Sequence, residues 1–192
     1  KRLGLKFVFD MRGCWVDERF EGNIWNSSRF FYRKVYKYFK AREKEFFEQA
    51  DAVVSLTRSG KRIIGQTFGE QVEIRTWVIP CCTDLDLFSQ QYITEERKET
   101  LRKQLNIEPA HFVLSYLGSI GTWYMTAEMM AFFRRLLRIY PDARFLFITG
   151  EDPRVIIGEA TKAYVDPLNV IVVKAGRNEV PEYLSLSDIS IF

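Results

Sequence analysis

Short continuous apolar runs alternate along the chain with longer stretches in which apolar residues recur every three or four positions. The short runs fall at 5–10 (LKFVFD), 52–56 (AVVSL), 72–80 (VEIRTWVIP), 112–118 (FVLSYLG), 144–149 (RFLFIT), 169–173 (NVIVV) and 188–192 (DISIF). They are rich in β-branched and aromatic residues, which predicts buried strands of parallel sheets. Between them the helical period predicts helices over 28–50, 57–68, 94–106, 126–140, 154–164 and 179–187, and the stretch after Asp10 reads as a polar and aromatic loop. Asn26, Ser27 and Ser28 are the N-cap choices for the first helix.

Strands alternating with helices predict an α/β chain whose parallel sheets are flanked by helices on both faces. The charged stretch 94–110 reads as a connector, so residues 1–93 and 111–192 are expected to be two lobes. One doubly wound sheet of seven strands is the alternative. The chain starts near one strand-like run and stops in another. That reads as a fragment with two incomplete lobes, whose open strand edges favour a homodimer.

Composition narrows the class. The 192 residues are 47% hydrophobic and 28% charged, which suits a globular core and excludes the disordered class. No run of 18 apolar residues and no leader-like start occur, so a cytoplasmic location is expected. The three cysteines include the neighbours Cys81 and Cys82, expected as free buried thiols in a reducing compartment. The single histidine, His111, has no spaced Cys or Asp partners, so no metal site is expected. Without a P-loop, a GxGxxG or a Gly-x-Ser-x-Gly, the nucleoside-triphosphatase, dinucleotide and serine-hydrolase readings have little support.

The net charge of +3 conceals an asymmetry. Between Arg29 and Lys44 lie seven basic residues and one acid, a local +6 that leaves −3 for the rest. The same segment carries Phe30, Phe31, Tyr32, Val35, Tyr36, Tyr38 and Phe39. At helical spacing Phe31, Val35, Tyr38 and Phe39 form a stripe, read either as a core-facing face or as a face for anionic lipid or substrate. Nucleic acid is not expected, because no RNA- or DNA-reading motif accompanies the patch.

Several segments, taken in order, resemble family 4 of the retaining GT-B glycosyltransferases. VIPCCTDLDLF (78–88) is similar to the family's VIPNGVDxxxF, with Cys81-Cys82 standing where Asn-Gly is frequent. EKEFFEQADAVVSLTRSGKRII (43–64) resembles the helix, strand and turn before it. LSYLGSIGTWYMTAEMMAFFRRLL (114–137), FLFITGEDP (145–153) and EVPEYLSLSDISIF (179–192) resemble the donor-side strands and turns after it. The resemblance implies a GT-B architecture of two Rossmann-like lobes. Residues 1–93 would be part of the acceptor-side lobe and 111–192 part of the nucleotide-sugar lobe. It implies sugar transfer with retention, from a nucleotide-sugar donor to a cell-surface polysaccharide or glycolipid acceptor, without metal or other cofactor. The family's carboxylate pair and glycine-rich N-terminal loop would lie outside the chain, so the fragment itself is expected to be inactive.

Site residues follow from the same comparison. Gly118, Ser119, Gly121 and Tyr124 would meet the donor, with Gly150, Arg177 and Val180 framing base and ribose. The family's loop cations are replaced here by Ser119 and Tyr124. The diphosphate would therefore rest on backbone amides and a helix N-terminus. Asp10, Arg12 and Gly13 end a strand, where parallel α/β proteins bind ligands, and would face the acceptor. Arg12 is expected either to bind an anion or to pair with Asp10 or Asp17. The rival readings are another GT-B enzyme, such as a sugar-nucleotide epimerase, and a non-catalytic domain docking through helix 28–50. Peripheral contact with the inner membrane face through 29–44 is the partner expectation for the basic segment.

Overall fold

The computed structural model describes residues 4–22, 24–26, 28–89, 93–121 and 124–192. Two compact units divide at Cys82 and Thr83. The first holds β1 (Val8–Met11), α1 (Trp15–Glu21), α2 (Phe30–Gln49), β2 (Ala52–Ser55), α3 (Arg58–Phe68), α4 (Glu70–Ile74) and β3 (Thr76–Val78). The second holds α5 (Glu95–Gln104), β4 (Val113–Leu117), α6 (Thr126–Leu136), β5 (Arg144–Ile148), α7 (Pro153–Lys162), β6 (Val170–Val173), α8 (Val180–Leu184) and β7 (Ile189–Ile191). The described residues form two parallel sheets, ordered β1-β2-β3 and β6-β5-β4-β7, rather than one of seven strands. Segment 94–110 forms α5 and the turn after it, and contributes Leu101 and Ile107 to the core of the second unit.

Strand alternation explains the layering of the second unit. Leu114, Tyr116, Phe145, Phe147 and Val170 point to one face, where Met129, Met130 and Phe133 of α6 and Ile156 and Ala160 of α7 cover them. Val113, Leu146 and Ile148 point to the other face, against Leu101, Ile107 and Leu186, with α8 packed alongside. Both faces are apolar, which is why these strands read as unbroken hydrophobic runs. In the first unit Phe47, Ala50, Val53, Ile64 and Val72 form the core, flanked by Phe7, Phe9, Met11 and Phe68. The alternate positions Val8 and Trp77 are exposed, so the expectation of two covered faces fails at these two strands.

Three local expectations change. The run 72–80 does not form one strand: α4 occupies its first residues and β3 is only Thr76–Val78. Gly69, at φ +100°, ends α3 and restarts the chain, and its carbonyl accepts from the N–H groups of Val72 and Glu73. Val72 thus enters the core from a helix while Ile74 stays exposed, an alternation that mimics a strand. The stretch expected as loop contains α1, whose Asp17 accepts from Tyr36 (2.8 Å) and Lys40 (3.0 Å) of α2. Finally, Arg29 takes the N-cap position of α2 without a side-chain bond. Asn26 instead accepts from the N–H of Ser28, and Ser27 lies outside the described residues.

Close packing of α3 on α4 gives a first prediction. A Cβ at Gly65 would lie 2.6 Å from Cδ and 2.8 Å from Cβ of Glu73. The Cβ of Glu73 is fixed by its backbone, so the two helices must separate. Gly65→Ala is expected to cost about 1–3 kcal/mol through overpacking, outweighing the ~1 kcal/mol gained in helix propensity. A urea midpoint no lower than that of the parent would refute it.

Candidate functional site

All four strands of the second sheet run the same way, so the segments after β4, β5, β6 and β7 lie along one edge. β4 sits between β5 and β7, and its helix α6 covers the opposite face from α8. The chain diverges there to opposite faces, the place where open α/β sheets form a crevice for ligands. Gly118, Ser119, Gly121 and Tyr124 lie in the connection from β4 to α6, and Gly150 follows β5. Arg177 lies in the turn after β6, and Val180 begins α8, packed against the Leu101–Leu186 cluster. Thr122 and Trp123 lie outside the described residues.

The glycine turn is held from beneath. Tyr116 donates its hydroxyl to the carbonyl of Ser119 (2.6 Å). A Cβ on Gly118, at φ +155°, would lie 2.9 Å from that hydroxyl oxygen. Gly121, at φ +146°, also needs the freedom of glycine. Burial pushes the Tyr116 phenol upward, with Tyr124 nearby adding to the shift. The phenol therefore remains a donor at neutral pH. Sequence reasoning passed over Tyr116, although a tyrosine two residues before the first glycine of the turn was the available signal.

Helix α6 opens without a side-chain cap among the described residues, after Met125 in the left-handed region (φ 49°). None of the described side chains therefore supplies its first amides with a capping acceptor. The Thr126 hydroxyl is buried and has no partner among the described residues. A cavity of ≈ 340 Å³ opens at this helix start, lined by Ile120, Gly121, Thr126, Glu128, Glu151 and Glu159, among others. A second, of ≈ 330 Å³, lies between Tyr116, Tyr124, Phe132 and the end of β7 at Ile191. The charged side chains of the first cavity are all carboxylates, so an anion there depends on amides and hydroxyls alone. Arg177 and Val180 line neither cavity.

In the first unit Asp10, Arg12 and Gly13 do come together. They line a cavity of ≈ 490 Å³ at the end of β1, with Trp15, Phe39 and Phe46 among its apolar walls. Arg12 donates from Nε to Asp10 (2.9 Å), one of the two expected pairings, and this hydrogen bond raises the guanidinium pKa. Cys81 and Cys82 are free, but they are exposed rather than buried, because Pro80 takes the chain out of β3 before them. His111 accepts from the N–H of Glu108 (3.0 Å) and braces a turn. Among the described residues no cluster of His, Cys, Asp or Glu is placed to hold a metal ion.

The stripe expected on α2 is rotated. Its packed side runs through Val35, Tyr36, Phe39, Glu43 and Phe47, while Phe31 and Tyr38 point outward. Phe47 is the fully buried member, and the position of the core beneath it sets the rotation. Among the described residues no helix is long and apolar enough to cross a membrane.

No family model matches the chain, and no curated protein matches it by sequence. Solved structures do. The chain superposes on WaaG, a glycosyltransferase involved in lipopolysaccharide biosynthesis, with a TM-score of 0.70 and 21% identity over 95% of its length. A glycosyltransferase from Rickettsia africae superposes with a TM-score of 0.61 and 12% identity over 77% of the chain. The chain spans 49% of WaaG and 40% of the Rickettsia protein. It therefore has the α/β fold of GT-B glycosyltransferases, with Rossmann-like parallel sheets flanked by helices.

Proposed function

We propose that the chain is part of a retaining, family 4-like glycosyltransferase that uses a nucleotide-sugar donor and a polysaccharide or lipid-linked acceptor at the inner face of a membrane. The observation that carries this reading is the uncapped start of α6 beside the Gly118–Gly121 turn at the divergence point of the second sheet. A nucleoside diphosphate is the leaving group of sugar transfer. Amides at a helix start stabilise such negative charge without a cation, and here they must outweigh repulsion from Glu128, Glu151 and Glu159. Tyr116 and the two glycines fix the backbone that presents those amides. The neighbouring cavity beside Tyr124 suits the base or the sugar; Gly150, Arg177 and Val180 lie outside both cavities and are assigned to the donor by the family resemblance alone. The apolar cavity over Asp10, Arg12 and Gly13 is assigned to the acceptor.

Because the chain spans about half of WaaG, it is expected to bind the donor nucleotide without transferring sugar by itself. A thermal-shift series with UDP, GDP, ADP and CMP tests this. At a hundredfold excess over Kd one of the diphosphates is expected to stabilise the chain by about 2.7 kcal/mol, or roughly 5–10 °C. No shift with any of them would remove the donor site from this chain, and sugar transfer above a no-protein control would overturn the expectation of inactivity.

A further inference from the structure

Arg144 begins β5, His111 shortly precedes β4 and Asn169 immediately precedes β6. The three therefore lie at the starts of adjacent parallel strands, along the edge opposite the Gly118 and Gly150 turns. The Arg144 guanidinium is held in one orientation. Its Nη1 donates to the carbonyls of Asp142 (3.0 Å) and Ala143 (3.4 Å) and to Oδ1 of Asn169 (3.2 Å). Its Nη2 lies 3.2 Å from Nε2 of His111, whose Nδ1 already faces the N–H of Glu108 at 3.0 Å. A neutral imidazole offers one ring lone pair and an imidazolium none, so two donors aimed at both nitrogens are not satisfied together. The bond from Glu108 assigns the lone pair to Nδ1 and the ring proton to Nε2. Nε2–H and the guanidinium then face each other as two donors with no acceptor between them.

We propose that this edge binds a small organic carboxylate, whose head accepts from Arg144 and His111 and whose apolar body fills the cavity beside them. Arg144 has no ion pair among the described residues. The acids of the adjoining turns do not supply one: Glu108 and Asp142 meet the pair through backbone groups, and the Asp166 carboxylate accepts from the N–H of Leu168 (2.9 Å). The two oxygens of a carboxylate accept from both donors at once and bring the missing counter-charge. The cavity, ≈ 520 Å³, has Arg144 as its charged wall, Gln104 and Asn106 as polar walls, and Leu105, Leu168 and Ile171 among its apolar ones. An inorganic anion would leave those apolar walls wet, whereas an apolar body covers them. The site is independent of the sugar-transfer reading, since the nucleotide is assigned to the other edge of the sheet.

His111 is the one histidine of the chain, so its ring signals in an NMR spectrum report on the site directly. Titration of the full chain with benzoate, with benzyl alcohol and with inorganic phosphate tests the proposal. Benzoate is expected to move the His111 signals saturably and to bind roughly tenfold or more tighter than either of the others, the loss that follows a missing charge-assisted hydrogen bond. Arg144→Gln removes the charge and is expected to weaken benzoate by roughly tenfold or more for the same reason. An unchanged melting temperature would verify that this variant stays folded, and the comparison of ligands on the parent chain decides the matter if it does not. No saturable response to benzoate, an equal response to benzyl alcohol, tighter binding of phosphate, or undiminished binding by folded Arg144→Gln would overturn the proposal.

Discussion

Phe47→Ala is expected to unfold the first unit at urea concentrations that leave the second folded. Phe47 is fully buried, stacks on Phe68 with ring centres 4.2 Å apart, and meets the edge of Phe9 at 4.9 Å. Truncating such a side chain costs about 3–5 kcal/mol, from lost transfer energy and the cavity left behind. A unit of this size has a total stability of roughly 4–12 kcal/mol. Among the described residues its core cluster has five buried apolar members, of which Phe47 is the largest, so few neighbours can move to fill the gap. The second unit has clusters on both faces of its sheet and does not depend on Phe47. Three of the four tryptophans, Trp15, Trp25 and Trp77, lie in the first unit, so its unfolding dominates the change in fluorescence. An emission midpoint equal to that of the parent would mean that the first unit is not held by this cluster.

Gly118→Ala should weaken nucleoside diphosphate binding more than tenfold while leaving the chain folded. The added methyl meets two constraints at once. The backbone at φ +155° is unfavourable to an L side chain, at about 1–3 kcal/mol. The Tyr116 hydroxyl, 2.9 Å from the new Cβ, has to move and release the Ser119 carbonyl. Either response swings the turn away from the first amides of α6, and the diphosphate loses the surface assigned to it. Tyr116→Phe keeps the ring in the core and removes only the bond to Ser119, so its loss should be smaller. In the nucleotide thermal-shift series the parent should respond most, Tyr116→Phe less and Gly118→Ala least. An undiminished shift in Gly118→Ala would place the nucleotide elsewhere.

The β-rich runs and their order were legible because a strand covered on both faces is mostly apolar, as 113–117 and 145–148 are. The period of α6 was legible for the related reason that Met129, Met130 and Phe133 face one core. Its expected end at Tyr140 was too far by one turn, because Ile139 and Tyr140 form a turn over Leu136 and stay exposed. Local rules failed where two structures share one pattern. The alternation at Val72 and Ile74 suits a strand, but Gly69 starts a helix there instead. The aromatic residues of α2 are so many that several stripes fit the helical period, and sequence spacing does not choose among them.

The α/β class, the alternation of strands with the longer helices, and the glycine turn between β4 and α6 are legible in the residues alone, because these follow from period and residue type within short windows. The placing of β7 beside β4, the rotation of α2 and the support of Ser119 by Tyr116 are set by packing alone. Each of those depends on contacts between residues distant in sequence or on which side of an element meets the core. The pattern along the chain records that a face is buried, and only packing selects its partner.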